Sequence, residues 1–265
     1  MGSWQRLGAV DPERLADARL LVHHAAQLVP RLVRGRVPAE PGFAHLALAW
    51  EPAFGALAGR PVPSTVGPVR LGLRVADLAL VLLGGHGPIA TFPLAGRRAA
   101  DAEAWLAALG LGGLSPPFRY DLPPHDCAEG APFEAMGQEA ALTELARYVG
   151  NAALLLEPFG PARCWPHHLD LSVLVARGGG SVGLGLSPGD RHHAQPYLYA
   201  YPWPYPDLAA LPPLEPPTFW HTEGFTGAVL LGTDLGRLPE QEAGARMLLG
   251  RMAEACTAAL GSAAA

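Results

Sequence analysis

Residues 11–34 (DPERLADARLLVHHAAQLVPRLVR) place Leu15, Ala18, Leu21, Val22, Ala25, Leu28 and Val29 at helical spacing behind an Asp-Pro start. This predicts an amphipathic helix that ends or kinks near Pro30. After a Pro/Gly turn the period changes to two. FAHLALAW (43–50) reads as a strand, VRLGLRVADLALVLL (69–83) as one bent strand or two short ones, and GPIATFPLAG (87–96) as the next. Ala99 to Leu109 carries Trp105, Leu106 and Leu109 on one face and reads as a short helix stopped by Gly110. Residues 112–135 are rich in Pro and Gly and read as an extended connector.

The pattern then starts again. A helix is predicted from Gln138 to Leu156, strands in DLSV, SVGLGL (181–186), PYLYAY (196–201) and FTGAVLLG (225–232), and a closing helix over 239–260 with Met247, Leu248, Met252 and Ala255 inward. The fold class this implies is α+β with antiparallel sheet and flanking helices, arranged as two similar halves. The expected organisation is an N-terminal half at 1–111, a connector at 112–137 and a C-terminal half at 138–265 carrying the chemistry. FAHLALAW puts His45 where PHHLDLSV has His168, so an internal duplication is one reading; chance similarity of two α+β halves is the other.

Candidate chemistry concentrates between Cys164 and Glu223, where five of the ten histidines fall in WPHHLDL, SPGDRHH and WHTE. Strand alternation through WPHHLDLSVL would turn His168, Asp170 and Ser172 to one face and His167 and Leu169 to the other. An imidazole beside a carboxylate can share a metal with it or be oriented by it for proton transfer. An imidazole hydrogen-bonded on a solvated face would leave the same pattern. The SPGD turn presents Asp190, as a functional carboxylate or as one bonding its own backbone, next to His192 and His193. In WHTE, His221 and Glu223 would share a strand side. Tyr197, Tyr199 and Tyr201 fall on one face of PYLYAY, followed by Trp203 and Tyr205, as a pocket wall or as packing under a proline-rich cover. His23 and His24 lie on the first helix, where one is expected to face the core and bond a carbonyl. His125 and Asp126 lie in the connector, where they suit a turn or could reach into a site between the halves.

Composition narrows the classes. The chain has 265 residues, 49% of them hydrophobic, and a net charge of −5, which suits a folded globular protein. All 19 basic residues are arginine, which excludes a pyridoxal Schiff base, a P-loop lysine and a serine–lysine base. Alanine, glycine, proline and arginine are abundant, as in proteins of GC-rich bacteria. The arginines are scattered apart from a small cluster at Arg31 to Arg36, so no nucleic-acid partner is expected. No apolar run is long enough for a membrane span or a signal peptide, and Cys127, Cys164 and Cys256 follow no disulfide or zinc spacing. A cytoplasmic protein without a membrane partner is expected. No GxSxG elbow, HExxH helix or EF-hand loop occurs, and GLGLSPG is not followed by a helix of the dinucleotide-binding kind.

WPHHLDL, GLSPGD, PYLYAY, PWP and WHTEGF together resemble an uncharacterised bacterial protein family over about residues 160–232, and more loosely over LLVHHAAQ and YDLPPH. More remotely, the order of elements resembles a larger bacterial domain family of unknown function that lacks the histidine pair at His167 and His168. The resemblance implies a shared architecture and no activity. The leading expectation is a metal-dependent or His/Asp acid–base enzyme acting on a small molecule. His168, Asp170 and His221 would be ligands to zinc, iron or manganese or the acid–base set, Asp190 would complete that set, and His167, His193, Tyr197, Tyr199, Trp203 and Glu223 would contact substrate. The competing expectation is a non-catalytic binder with an aromatic pocket and structural histidines.

Overall fold

A computed structural model of the chain describes residues 2–262. The fold is α+β, with six α-helices and two antiparallel sheets among the described residues. The chain divides into two compact units, each discontinuous in sequence. The first contains Asp17–Ala146 and Arg163–Leu169; the second contains Ser3–Ala16, Arg147–Ala162 and the chain from Asp170 onward. Residues 112–135 therefore belong to the first unit.

The first unit takes helix α1 (Ala16–Ala26) from Asp17 onward, the 3-10 turn at Pro12–Leu15 belonging to the second unit, and α2 (Leu28–Val33) continues after a break at Gln27. Pro30 sits inside α2, so the interruption comes three residues earlier than the sequence suggests. The predicted strand at 43–50 is mostly something else. Pro41–Leu46 forms a 3-10 turn containing left-handed residues at Gly42 and Phe43 (φ 62° and 58°), and only Ala49–Glu51 is strand β1. Strands β2 (Ala56–Ala58), β3 (Arg70–Arg74), β4 (Ala79–Gly84) and β5 (Gly87–Pro93) complete a meander in sequence order. VRLGLRVADLALVLL is thus a hairpin, with Leu78 left-handed at its turn. A Cβ on Gly59 would lie 2.9 Å from both Val29 and Val33, which shows how closely α2 approaches the chain beyond β2. Helix α3 (Ala99–Ala108) and the short strand β6 (Arg163–Trp165) also belong here; Cys164 exchanges both backbone hydrogen bonds with Leu48, at 2.8 Å each.

The segment read as a connector is strapped to the first helices by arginine. Arg31 Nε donates to Ser115 O (2.7 Å) and its guanidinium also pairs with Glu103 (2.6 Å), while Arg36 donates to Leu111 O (2.8 Å) and Gly113 O (2.6 Å). The basic cluster at Arg31 to Arg36 thus satisfies backbone carbonyls that no strand partner would reach.

In the second unit, α4 (Glu139–Leu156, from Arg147), α5 (Gly232–Arg237) and α6 (Gln241–Ser262) accompany strands β7 (Asp170–Arg177), β8 (Gly180–Ser187), β9 (Tyr197–Trp203), β10 (Phe219–His221) and β11 (Gly227–Leu231), ordered β10-β11-β9-β8-β7. Helix α6 packs along β8, β9 and β11. It buries Ala245, Leu248, Leu249, Met252, Cys256 and Ala259, while Met247 points outward at 49% exposure, contrary to the inward assignment from sequence. The N-terminal arm is held by two amides. Asn151 pairs with both backbone groups of Gln5 (2.9 and 2.7 Å), and Gln241 does the same with Leu7 (2.8 and 3.0 Å).

The glycines of GLGLS make room for tyrosine. Gly183 pairs with Tyr201 and Gly185 with Tyr199 across β8 and β9, and the phenol rings cover the bare glycine backbone. On the other side of β8, Val182, Leu184 and Leu186 are buried. A Cβ on Gly185 would sit 2.5 Å from the Tyr199 hydroxyl and 2.7 Å from Leu171 O, an overlap that the backbone cannot relieve. Gly185→Ala is expected to cost about 2 kcal/mol in denaturant unfolding, whereas Gly179→Ala, with no atom within 4 Å of the added carbon, stays within about 0.5 kcal/mol of the parent.

Candidate functional site

A cleft of about 390 Å³ opens in the first unit, lined by Gly42, Phe43, Leu46, Arg119, Tyr120, Asp121, Trp165, Pro166, His167 and His168. Three segments build it: the left-handed turn at Gly42 and Phe43, the connector stretch RYD, and the WPHH turn after β6. Leu169, at φ 57°, ends that turn and breaks the alternation of β7 before it reaches His168. The expected common strand face of His168, Asp170 and Ser172 is therefore not formed: His168 lies in a turn, and its N–H donates to Trp165 O at 3.2 Å. Of the three non-glycine residues with positive φ among the described residues, Phe43 lines the cleft and Leu169 adjoins it. Such backbone persists only where its surroundings hold it.

Helix α1 supplies that support. His23 Nε2 bonds Pro166 O (3.1 Å), and Gln27 Nε2 donates to the same oxygen (2.7 Å), using both of its lone pairs. His24 Nε2 bonds Pro123 O (2.8 Å). Because a carbonyl only accepts, each ring carries its proton on Nε2. Both histidines are buried and both are bonded, one more than the sequence suggests. His125, 5.6 Å from His24 between ring centroids, accepts from Cys127 N–H (3.2 Å) and caps the 3-10 turn at Asp126–Glu129, the turn role expected of it.

The cleft walls are aromatic and polar in alternation. The His167 ring centroid lies 4.3 Å from that of His168, 5.7 Å from Tyr120 and 6.1 Å from Trp165. Tyr120 stacks on Phe118 at 5.1 Å and 8°, and the Arg34 guanidinium covers the Phe118 ring at 4.9 Å. Burial raises the Tyr120 phenol above its ordinary pKa, with the Arg34 charge opposing. Arg119 and His168 make no side-chain hydrogen bond or ion pair among the described residues, so the groups available to a ligand lie on this wall. Phe43, Arg119, Tyr120 and Asp121 were not singled out from sequence; the signal was a charged and aromatic triplet inside a proline-rich loop.

The remaining expected residues belong to the second unit. The Asp170 carboxylate accepts from Tyr199 O–H (2.6 Å). Asp190 accepts from Tyr197 O–H (2.6 Å) and from the N–H groups of His192 (2.7 Å) and His193 (2.9 Å). Burial would raise Asp190, but these donors outweigh it and hold the carboxyl below its ordinary range. That is the turn role considered for SPGD. Burial first, and then the neighbouring carboxylates, push Tyr197 and Tyr199 upward, so both are donors at neutral pH. His193 and His192 lie 5.0 and 5.1 Å from His221 between centroids. Burial and the charge of His221 lower His193, against the opposing pull of Asp190.

Glu223 lies beyond the end of β10, so it does not share a strand side with His221; its backbone oxygen bonds His221 Nε2 at 2.6 Å. Trp203 is 55% exposed and packs edge-on against Tyr205 at 5.2 Å. Among the described residues no group of three or more His, Cys, Asp or Glu is placed to hold a metal ion. His168 lies in a turn of the first unit, while in the second unit Asp170 is directed by a phenol and His221 by a backbone carbonyl. Cys127, Cys164 and Cys256 are buried, and no helix among the described residues is long and apolar enough to cross a membrane. No protein-family model, curated protein or solved structure matches the chain.

Burial lowers the His23 imidazole to about 4, with the Pro166 bond opposing and His24, Arg19 and His168 adding to the fall. The folded-state value is below the unfolded one near 6.5. His23 therefore favours folding fully above pH 6.5, and this contribution is lost as pH falls from 6.5 to about 4. The loss amounts to about 3 kcal/mol. In urea unfolding at pH 7, 5 and 4, the stability advantage of the parent over His23→Gln is expected to shrink across that window; a constant difference would contradict it.

Proposed function

We propose that the cleft of the first unit binds a small molecule and that its paired imidazoles exchange a proton with it. The observation that carries this reading is the adjacency of His167 and His168, 4.3 Å apart between centroids, on a turn anchored from behind by His23 and Gln27. An imidazole gives and takes protons near neutral pH, and a cleft with aromatic walls and a few convergent polar groups is the usual form of a small-molecule site. His168 is the more exposed of the two and its side chain makes no hydrogen bond among the described residues, which suits it to meet the ligand. His167, between Tyr120 and Trp165, suits the role of orienting group.

This reading replaces metal ligation by the trio with proton transfer by the pair. It treats the tyrosine face and Asp190 as structural, because their polar atoms bond one another. The shared order of helix, antiparallel strands and helix in the two halves supports an ancestral duplication. In a ligand-observed NMR screen of small aromatic and heteroaromatic compounds, binders of the parent are expected to lose most of their signal with His168→Ala and keep it with Asp190→Asn. Binding indifferent to His168→Ala but abolished by Asp190→Asn would move the site to the second unit.

A further inference from the structure

We infer that the ligand of the cleft is a small aromatic carboxylate, an inference that rests on the cleft being the binding site. Arginine in this chain is otherwise committed in many places: Arg31 and Arg36 to the connector, Arg60 to Glu40, Arg70 to Glu51, Arg74 to Asp77 and Arg246 to Glu242. Arg119 is different, because it lines the cleft, is exposed, and has no carboxylate or carbonyl partner among the described residues. A guanidinium presents a planar fork that matches a carboxylate through two parallel hydrogen bonds. The imidazoles of His167 and His168 add donors on the facing loop, and Asp121 is the one carboxylate in the lining.

The aromatic part of the ligand follows from the rest of the wall. Phe43, Tyr120 and Trp165 present ring surface to the cleft, and Phe43 is 72% exposed although its left-handed backbone makes the position costly for a phenylalanine. The Arg34, Phe118 and Tyr120 stack holds one of these rings in place from behind. A phosphate would be better served by clustered backbone N–H groups at a helix start, and the lining contains no residue of an α-helix.

The test is titration of 2-naphthoate, the neutral 2-naphthamide and the cationic 2-naphthamidine into the parent and Arg119→Gln, at pH 7 and low salt, following the Trp165 indole and His168 ring resonances. The expected result is that naphthoate shifts both resonances and binds about tenfold or more tighter than the amide, and that Arg119→Gln removes this advantage while leaving the amide unchanged. Equal binding of all three compounds, or naphthoate binding indifferent to Arg119→Gln, overturns the carboxylate assignment and leaves the cleft as a site. If none of the three moves either resonance, the assignment and the cleft reading fall together. Arg119 is exposed and unpartnered, so the variant is expected to keep the parent's circular dichroism and melting temperature.

Discussion

Two consecutive imidazoles on one helix hold two separate loops. Successive residues of a helix point about 100° apart, so His23 and His24 reach different segments, Pro166 and Pro123, although they are neighbours in the chain. Each of those segments carries a carbonyl that no strand or helix satisfies, and leaving either unpaired in a buried setting would cost about 1–3 kcal/mol. Burial keeps His23 and His24 below their ordinary pKa, so at neutral pH they act as uncharged donors. Gln27, one turn after His23, shares the Pro166 oxygen. The WPHH and RYD walls of the cleft are therefore set by α1, and the left-handed backbone at Leu169 is tolerable because the turn before it is tied down.

The second unit solves a similar problem with phenols. A sheet face bearing Tyr197, Tyr199 and Tyr201 must place three hydroxyls, and two of them donate to Asp190 and Asp170 at 2.6 Å. The rings need space as well, which Gly183 and Gly185 provide by having no side chain. Carboxylate, phenol and glycine thus form one arrangement. Histidine and aspartate occur both in this part of the sequence and in the cleft, yet here their polar atoms are largely turned to one another, whereas Arg119 and His168 line the cleft.

The long elements were legible because their periods run far enough to be seen: α1, α4 and α6, and the longer strands of the two sheets. What failed was local. Gly42 permits a left-handed turn that cuts FAHLALAW short, and Leu169, a residue type that gives no warning of positive φ, separates His168 from the alternation of Asp170 and Ser172. Strands β2, β6 and β10 are three residues each, too short to show a period. The histidine-rich segment is contiguous in sequence, while WPHH folds into the first unit and SPGDRHH and WHTE into the second, a division that no local pattern marks. The basic cluster and the GLGLS glycines were visible, yet their partners, backbone carbonyls and tyrosine rings, lie far away in sequence.

The most direct test of this account is the protonation state of the two helix histidines, read from long-range proton–nitrogen NMR correlations at pH 7. His23 and His24 are both expected to be neutral, with the proton on Nε2 and slow to exchange with solvent. Rings that are charged, protonated on Nδ1 or in rapid exchange would contradict it, because neither cleft wall would then be held by α1.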